Sequence, residues 1–121
     1  MKAEAFETMT PYEARLFAYH TNRTLAGNLS INHAAQCAEV NGINIGLTRL
    51  EFKLLSYLID RSNTAISRQE LLKSIWQLPC HIETRATDDT IKRLRRKLKE
   101  NHATVEIETV RGFGFIVRNT L

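Results

Sequence analysis

Hydrophobic residues recur at helical spacing in two neighbouring segments near the middle of the chain. Each segment begins with a hydroxyl side chain followed three residues later by a glutamate, the pattern of a helix capping box. The first segment predicts a helix over about residues 48–60, and the second predicts one over about residues 68–77. Pro79 prevents any further extension of the second helix. The positions expected to pack are Leu50, Leu54, Leu55, Leu58, Ile59, Leu71, Leu72, Ile75 and Trp76.

A third helix is predicted over about residues 85–100, and it is apolar along only one stripe. At 100° per residue, Ile91, Leu94 and Leu98 fall on one side together with Thr87. The opposite side is rich in basic side chains and comprises Arg85, Ala86, Asp89, Lys92, Arg93, Arg96 and Lys97. This pattern predicts a basic helix that packs on the rest of the protein through a single seam.

Both ends of the helical region are flanked by strand patterns. Residues 105–109 alternate apolar and acidic side chains, residues 111–114 form a glycine-containing turn, and residues 115–117 supply a return strand. Short β-like pieces occupy residues 25–47, where Asn41-Gly42 favours a tight hairpin turn. We therefore expect a small antiparallel sheet before the helices and a β-hairpin after them.

The order of these elements predicts an α+β fold of the winged helix-turn-helix type, with a small antiparallel sheet, three helices and a C-terminal hairpin wing. The domain is expected to cover residues 25–121, preceded by an extension, residues 1–24, that is partly helical or disordered. In that extension a third capping pattern, Thr10 to Glu13, predicts a short helix with Tyr12, Leu16 and Tyr19 on one side.

The positive charge of the chain is concentrated in its last third. The net charge is +4, and residues 85–118 hold nine basic and five acidic side chains, so the rest of the chain sums to zero. A neutral scaffold with one basic segment is typical of a protein that binds a polyanion. Charge alone equally fits a solvated helix face.

Other function classes find little support. The cysteines, Cys37 and Cys80, and the four histidines lack paired-ligand spacing, so no metal, cofactor or disulfide is expected. No catalytic set with characteristic spacing is present, which argues against an enzyme. No stretch approaches the ~18 apolar residues of a membrane span. The N-terminus lacks a signal peptide pattern, so we expect a cytoplasmic protein.

Three stretches together resemble the effector domains of OmpR/PhoB-type bacterial response regulators. They are LTRLEFKLLSYLIDRSNTAISRQELLKSIW, ETRATDDTIKRLRRKL and IETVRGFGF, and they lie within about residues 47–117. The resemblance implies sequence-specific binding of double-stranded DNA and regulation of transcription in bacteria. The helix over about 85–100 would lie in the major groove, and the wing over 105–118 would reach the minor groove.

The resemblance also implies roles for individual residues. Positions that face bases are Ala86, Asp89, Thr90 and Arg93. Positions that touch phosphates are Trp76, Arg85, Lys92 and Arg95, and the outward face of the helix adds Arg96 and Lys97 as further phosphate candidates. The wing positions are Thr109 and Arg111. The segment that matches the RNA polymerase-contacting loop of family activators is Gln77, Leu78, Pro79, Cys80, His81, Ile82 and Glu83. Related regulators bind as tandem copies on direct repeats, so a homodimer or tandem arrangement on DNA is expected.

Several alternatives stay open at this point. Trp76 fits a core or boundary position better than a DNA contact. Asp89 stands where the family more often has an apolar residue, and it can orient Arg93 through an i,i+4 ion pair, accept a hydrogen bond from cytosine N4, or only weaken non-specific binding. Residues 1–24 do not contain the receiver sequence of the family, so we expect control by protein concentration or by a partner in place of phosphorylation. The runner-up function is a winged-helix protein-interaction module that antagonises or pairs with another regulator.

Overall fold

The computed structural model describes residues 23–78 and 84–119, and their elements follow the predicted order. Four strands come first: β1 (Arg23–Ala26), β2 (Leu29–Asn32), β3 (Cys37–Val40) and β4 (Ile43–Asn44). The central elements are α1 (Arg49–Asp60), β5 (Ile66–Ser67), α2 (Arg68–Ser74) and α3 (Ala86–Glu100). A hairpin of β6 (Val105–Val110) and β7 (Gly114–Asn119) follows. The described elements confirm the predicted α+β winged helix architecture.

The first sheet is an antiparallel meander in the order β1-β2-β3-β4. Asn41 and Gly42 form the turn between β3 and β4, and both have positive φ angles, 53° and 83°. A two-residue turn of this kind matches the right-handed twist of the strands it joins, as the Asn-Gly pair predicted. The sheet begins at Arg23, two residues before the expected start of the domain. The helix predicted near residues 11–19 lies outside the described residues.

The helix boundaries agree with the capping patterns at their starts and differ at one end. Thr48 and Glu51 form the complete capping box of α1. The helix α2 ends at Ser74, three residues before the predicted end. Gln77 adopts a left-handed φ of 58°, and the Leu78 N–H donates to the Leu72 carbonyl at 2.9 Å. The main chain therefore closes this helix before Pro79 is reached.

A second sheet, in the order β5-β7-β6, joins the hairpin to the helices. Sequence periodicity did not predict β5, because this strand has only two residues, Ile66 and Ser67. They pair with Phe115 and Gly114, so the hairpin is bonded to the residues that immediately precede α2. The wing is consequently held in a fixed position beside the helix pair.

The core lies where the helices and both sheets meet, and its largest fully buried side chains include Phe115, Leu54 and Leu94. Asn28, in the β1–β2 turn, connects the first sheet to the segment between α3 and β6. Its Nδ2 donates to the His102 carbonyl at 2.9 Å, and its Oδ1 accepts from the Thr104 N–H at 2.9 Å. The first sheet and the helices thus pack together in a single domain.

Candidate nucleic-acid interface

The two sides of α3 differ sharply in exposure. Its buried residues are Thr87, Thr90, Ile91, Leu94 and Leu98, which confirms the predicted packing seam. On the opposite side Asp89, Lys92, Arg93 and Arg96 are exposed, as is Arg85 at the N-cap. Ala86 is partly exposed in the first turn. A basic surface therefore covers the side of α3 that faces away from the core.

Thr90 does not belong to this exposed surface. The resemblance implied that it faces bases, but only 1% of it is accessible, and its Oγ1 accepts a hydrogen bond from Arg93 Nη2 at 3.3 Å. The reason is its position at the margin of the packing seam, where α3 rests on the core. Thr90 therefore accepts a hydrogen bond that helps to position Arg93, and its own side chain does not face outward.

Glu51 is a buried carboxylate that forms ion pairs with two basic side chains of α3. It is 1% exposed, and its Oε1 lies 2.6 Å from Lys97 Nζ. Its Oε2 lies 3.4 Å from Arg93 Nε. Burial by itself raises the pKa of the Glu51 carboxyl, but hydrogen bonds from Lys97, the Thr48 N–H and Arg93 outweigh burial and lower the pKa overall. Glu51 is therefore ionised at neutral pH and anchors Arg93.

The phosphate contact predicted for Lys97 does not fit this arrangement. Its ammonium donates to the Gly46 carbonyl at 2.9 Å in addition to its ion pair with Glu51. Both partners lie at or just before the start of α1, so the Lys97 ammonium points toward α1 and away from the exposed surface of α3. Lys97 joins α3 to α1, while Lys92 and Arg96 keep the exposed positions expected of phosphate contacts.

Arg95 connects α3 to the wing. Its Nε donates to the Ile107 carbonyl at 2.7 Å, and its Nη2 donates to Thr109 Oγ1 at 2.8 Å. Burial lowers the pKa of the Arg95 guanidinium by more than nearby Asp88 raises it, so the pKa is lowered overall. The structure thus brings together a predicted phosphate residue and a predicted wing residue. The hydrogen bonds to Ile107 and Thr109 together occupy two donors of Arg95 that a free phosphate contact would use.

An ion pair that the sequence did not reveal extends this connection to α2. Arg68 Nε lies 3.1 Å from Asp88 Oδ1, and the Arg68 guanidinium stacks 4.7 Å above the centre of the buried Phe115 ring. The Arg95 guanidinium lies 5.8 Å from the same ring. No local pattern marks these residues, because their partners lie far apart in sequence. The result is a cluster that fixes α2, α3 and the hairpin relative to one another.

The hairpin turn presents two exposed side chains, Arg111 and Phe113. Gly112 between them has a positive φ of 73°, and the Phe113 N–H donates to the Val110 carbonyl at 2.9 Å. Arg111 was predicted at this tip. Phe113, with 48% of its surface accessible, was not singled out from the sequence.

The remaining predicted positions are only partly described. Trp76 is half-buried and packs against the core, which agrees with a boundary position. Gln77 is exposed and Leu78 is half-buried, and residues 79–83 lie outside the described residues. Within the described ranges no cluster of His, Cys, Asp and Glu could hold a metal ion. None of the described helices is both long and apolar enough to cross a membrane.

Residues 42–117 match the family described as "Transcriptional regulatory protein, C terminal". The chain is 37% identical over 102 residues to the transcriptional regulatory protein PrrA of Mycobacterium leprae, covering 84% of this chain and 44% of that protein. It is 38% identical over 93 residues to the heme response regulator HssR of Staphylococcus aureus, covering 77% and 42%. The chain thus spans less than half the length of these curated relatives.

Solved structures of DNA-binding domains resemble this fold. One is the RstA domain of Klebsiella pneumoniae in complex with the RstA box, with a TM-score of 0.70 and 28% identity over 78% of this chain and 94% of that chain. Another is the AdeR domain in complex with an intercistronic region, with a TM-score of 0.70 and 27% identity over 79% and 99%.

Proposed function

Because the chain belongs to the family of C-terminal domains of transcriptional regulatory proteins, we propose that it binds double-stranded DNA by sequence, with α3 in the major groove and the β6–β7 wing at the minor groove. The family assignment confirms the resemblance to OmpR/PhoB-type effector domains. It also agrees with the predicted class, a bacterial DNA-binding transcription regulator and not an enzyme. The alternative of a protein-interaction module is not favoured.

The exposed basic surface of α3 carries this proposal. An α-helix with its side chains is about 10–12 Å in diameter, so it fits the major groove, which is roughly 12 Å wide. The packing seam keeps the opposite side of α3 on the core, so Lys92, Arg93 and Arg96 are available to DNA. Arg93 suits guanine, whose O6 and N7 both accept hydrogen bonds from one guanidinium.

Binding to duplex DNA at several salt concentrations tests the proposal. We expect the logarithm of the affinity to fall linearly with the logarithm of the salt concentration, because the basic side chains release counterions from the phosphates. Fluorescence anisotropy with a random-sequence duplex measures this slope, and selection from a randomised library measures base preference. Failure to bind any duplex at low salt would overturn the proposal.

The wing is tested by Arg111→Ala, for which we expect a loss of DNA affinity of about 1–3 kcal/mol with an unchanged melting temperature. Arg111 is exposed at the hairpin tip, where its side chain can enter a narrow, electronegative minor groove. A matched control is Arg118→Ala, near the other end of the hairpin, where the guanidinium pairs with Glu108 at 3.0 Å. Equal affinities for Arg111→Ala and the unaltered protein would show that the wing does not engage DNA.

We further propose a cytoplasmic protein that binds direct repeats as a dimer or in tandem and contacts RNA polymerase through residues 77–83. The resemblance to OmpR/PhoB-type domains supports these partners. Truncation of residues 1–20 is expected to reduce cooperativity on a two-site duplex more than affinity for one half-site. Binding to duplexes with one and two half-sites measures both quantities, and equal changes would contradict this role.

A further inference from the structure

Asp89 places a negative charge on the basic surface of α3. The other two acidic residues of this helix are paired, Asp88 with Arg68 at 3.1 Å and Glu100 with Arg96 at 4.0 Å. Asp89 is exposed and forms no ion pair with any residue in the described ranges. Its carboxylate is therefore available to whatever contacts this surface.

The structure removes one explanation for this charge. An acid one helical turn before Arg93 could orient that arginine, but the acid that Arg93 contacts is Glu51, at 3.4 Å from its Nε. The Arg93 Nη2 donates to Thr90 Oγ1 at 3.3 Å. Arg93 is thus positioned from the core side without Asp89.

A carboxylate that faces DNA repels the phosphates and the acceptor atoms of the bases, unless it finds a hydrogen-bond donor. In the major groove cytosine offers the N4 amino group. Guanine presents only the acceptors N7 and O6, thymine presents O4 and a methyl group, and adenine has N7 directly beside its donor. Cytosine is therefore the base that a carboxylate tolerates best.

We propose that Asp89 selects a C·G pair by accepting a hydrogen bond from cytosine N4. This assignment rests on the proposed major-groove docking of α3. It places Asp89 and Arg93, one turn apart on the exposed side, on neighbouring positions of the operator. Asp89 acts against the other bases by repulsion, which lowers affinity for DNA in general and raises discrimination.

A competing role is purely structural. Asp89 lies in the first turn of α3, where a negative charge stabilises the helix N-terminus. Such a role changes helix stability but cannot distinguish one base pair from another. Base preference is therefore the readout that separates the two roles.

The experiment selects binding sites from a randomised duplex library with the full chain, with Asp89→Ala and with Asp60→Ala. Asp60 ends α1, is exposed and carries the same charge, so it is a matched control. We expect the unaltered chain and Asp60→Ala to prefer C·G at one position by about tenfold. Asp89→Ala is expected to lose this preference while its affinity for random DNA rises severalfold.

A second variant, Asp89→Asn, keeps a polar side chain of the same size. We expect it to shift the preference at that position from cytosine to adenine, because an amide can pair with adenine N6 and N7 together. Unchanged preference in both Asp89 variants would overturn the assignment, even if random-DNA affinity rises. If the unaltered chain binds no duplex, the proposed function itself fails, so the two failures are distinguishable.

Discussion

Gly114→Ala is expected to lower the free energy of unfolding by on the order of 3 kcal/mol. A Cβ atom at this position would lie 1.9 Å from the Ile66 carbonyl oxygen and 2.8 Å from the Ser67 Cα. Both are backbone atoms of the paired region, so the clash cannot be relieved by a change of side-chain rotamer. The β5–β7 pairing would have to separate, and with it the contact between the wing and the start of α2. Urea denaturation followed by circular dichroism measures the loss.

Gly112→Ala, in the hairpin turn that precedes β7, is the matched control. A Cβ at Gly112 meets nothing within 4 Å, but the residue has a positive φ of 73°. Backbone strain alone then costs about 1 kcal/mol. Equal destabilisation by the two substitutions would show that the close approach of β7 to Ile66 is not what requires glycine at position 114.

The local pattern of the sequence predicts the larger elements of this fold because each has a signal within its own length. The seam of α3 repeats over several turns, and the start of α1 carries a capping box. The strand β5 has no such signal: it exists because Ile66 and Ser67 find Phe115 and Gly114 far along the chain. The end of α2 was placed too late because the left-handed conformation of Gln77 does not follow from its residue type.

The same distinction explains what was predicted of the site. Exposure of Arg93 and Arg111 follows from a helical wheel and a hairpin turn. The roles of Lys97 and Arg95 depend on partners in other elements, namely Glu51 and Gly46 for Lys97 and Ile107 and Thr109 for Arg95. The sequence marks both as basic residues of one helix and contains no local sign of those partners.

Glu51 has both kinds of role. Its part in a capping box can be predicted from the local sequence, whereas its buried ion pairs cannot. Locally it completes a capping box, with the Thr48 N–H donating to its Oε1 at 3.0 Å. In the folded domain the same carboxylate also pairs with Lys97 and Arg93 while being removed from water. A buried carboxylate with these partners is stabilising only while it is ionised.

Glu51→Gln is therefore expected to destabilise the domain by about 2–3 kcal/mol at pH 7, because Lys97 loses the charge that compensates its own. The folded-state pKa of Glu51 is lowered, so its ionised form stabilises the fold above the unfolded-state pKa of about 4.3, and this contribution disappears as the pH falls through the lower folded-state value. The difference in unfolding free energy between the two proteins should consequently shrink on acidification below about pH 4.

Urea denaturation at a series of pH values measures this difference in unfolding free energy. Glu100→Gln serves as an exposed control, because the pair between Glu100 and Arg96 is only a 4.0 Å contact. A difference between Glu51→Gln and the unaltered protein that stays constant from neutral to acidic pH would contradict the ionised state of Glu51, and with it the anchoring of Arg93 by charge.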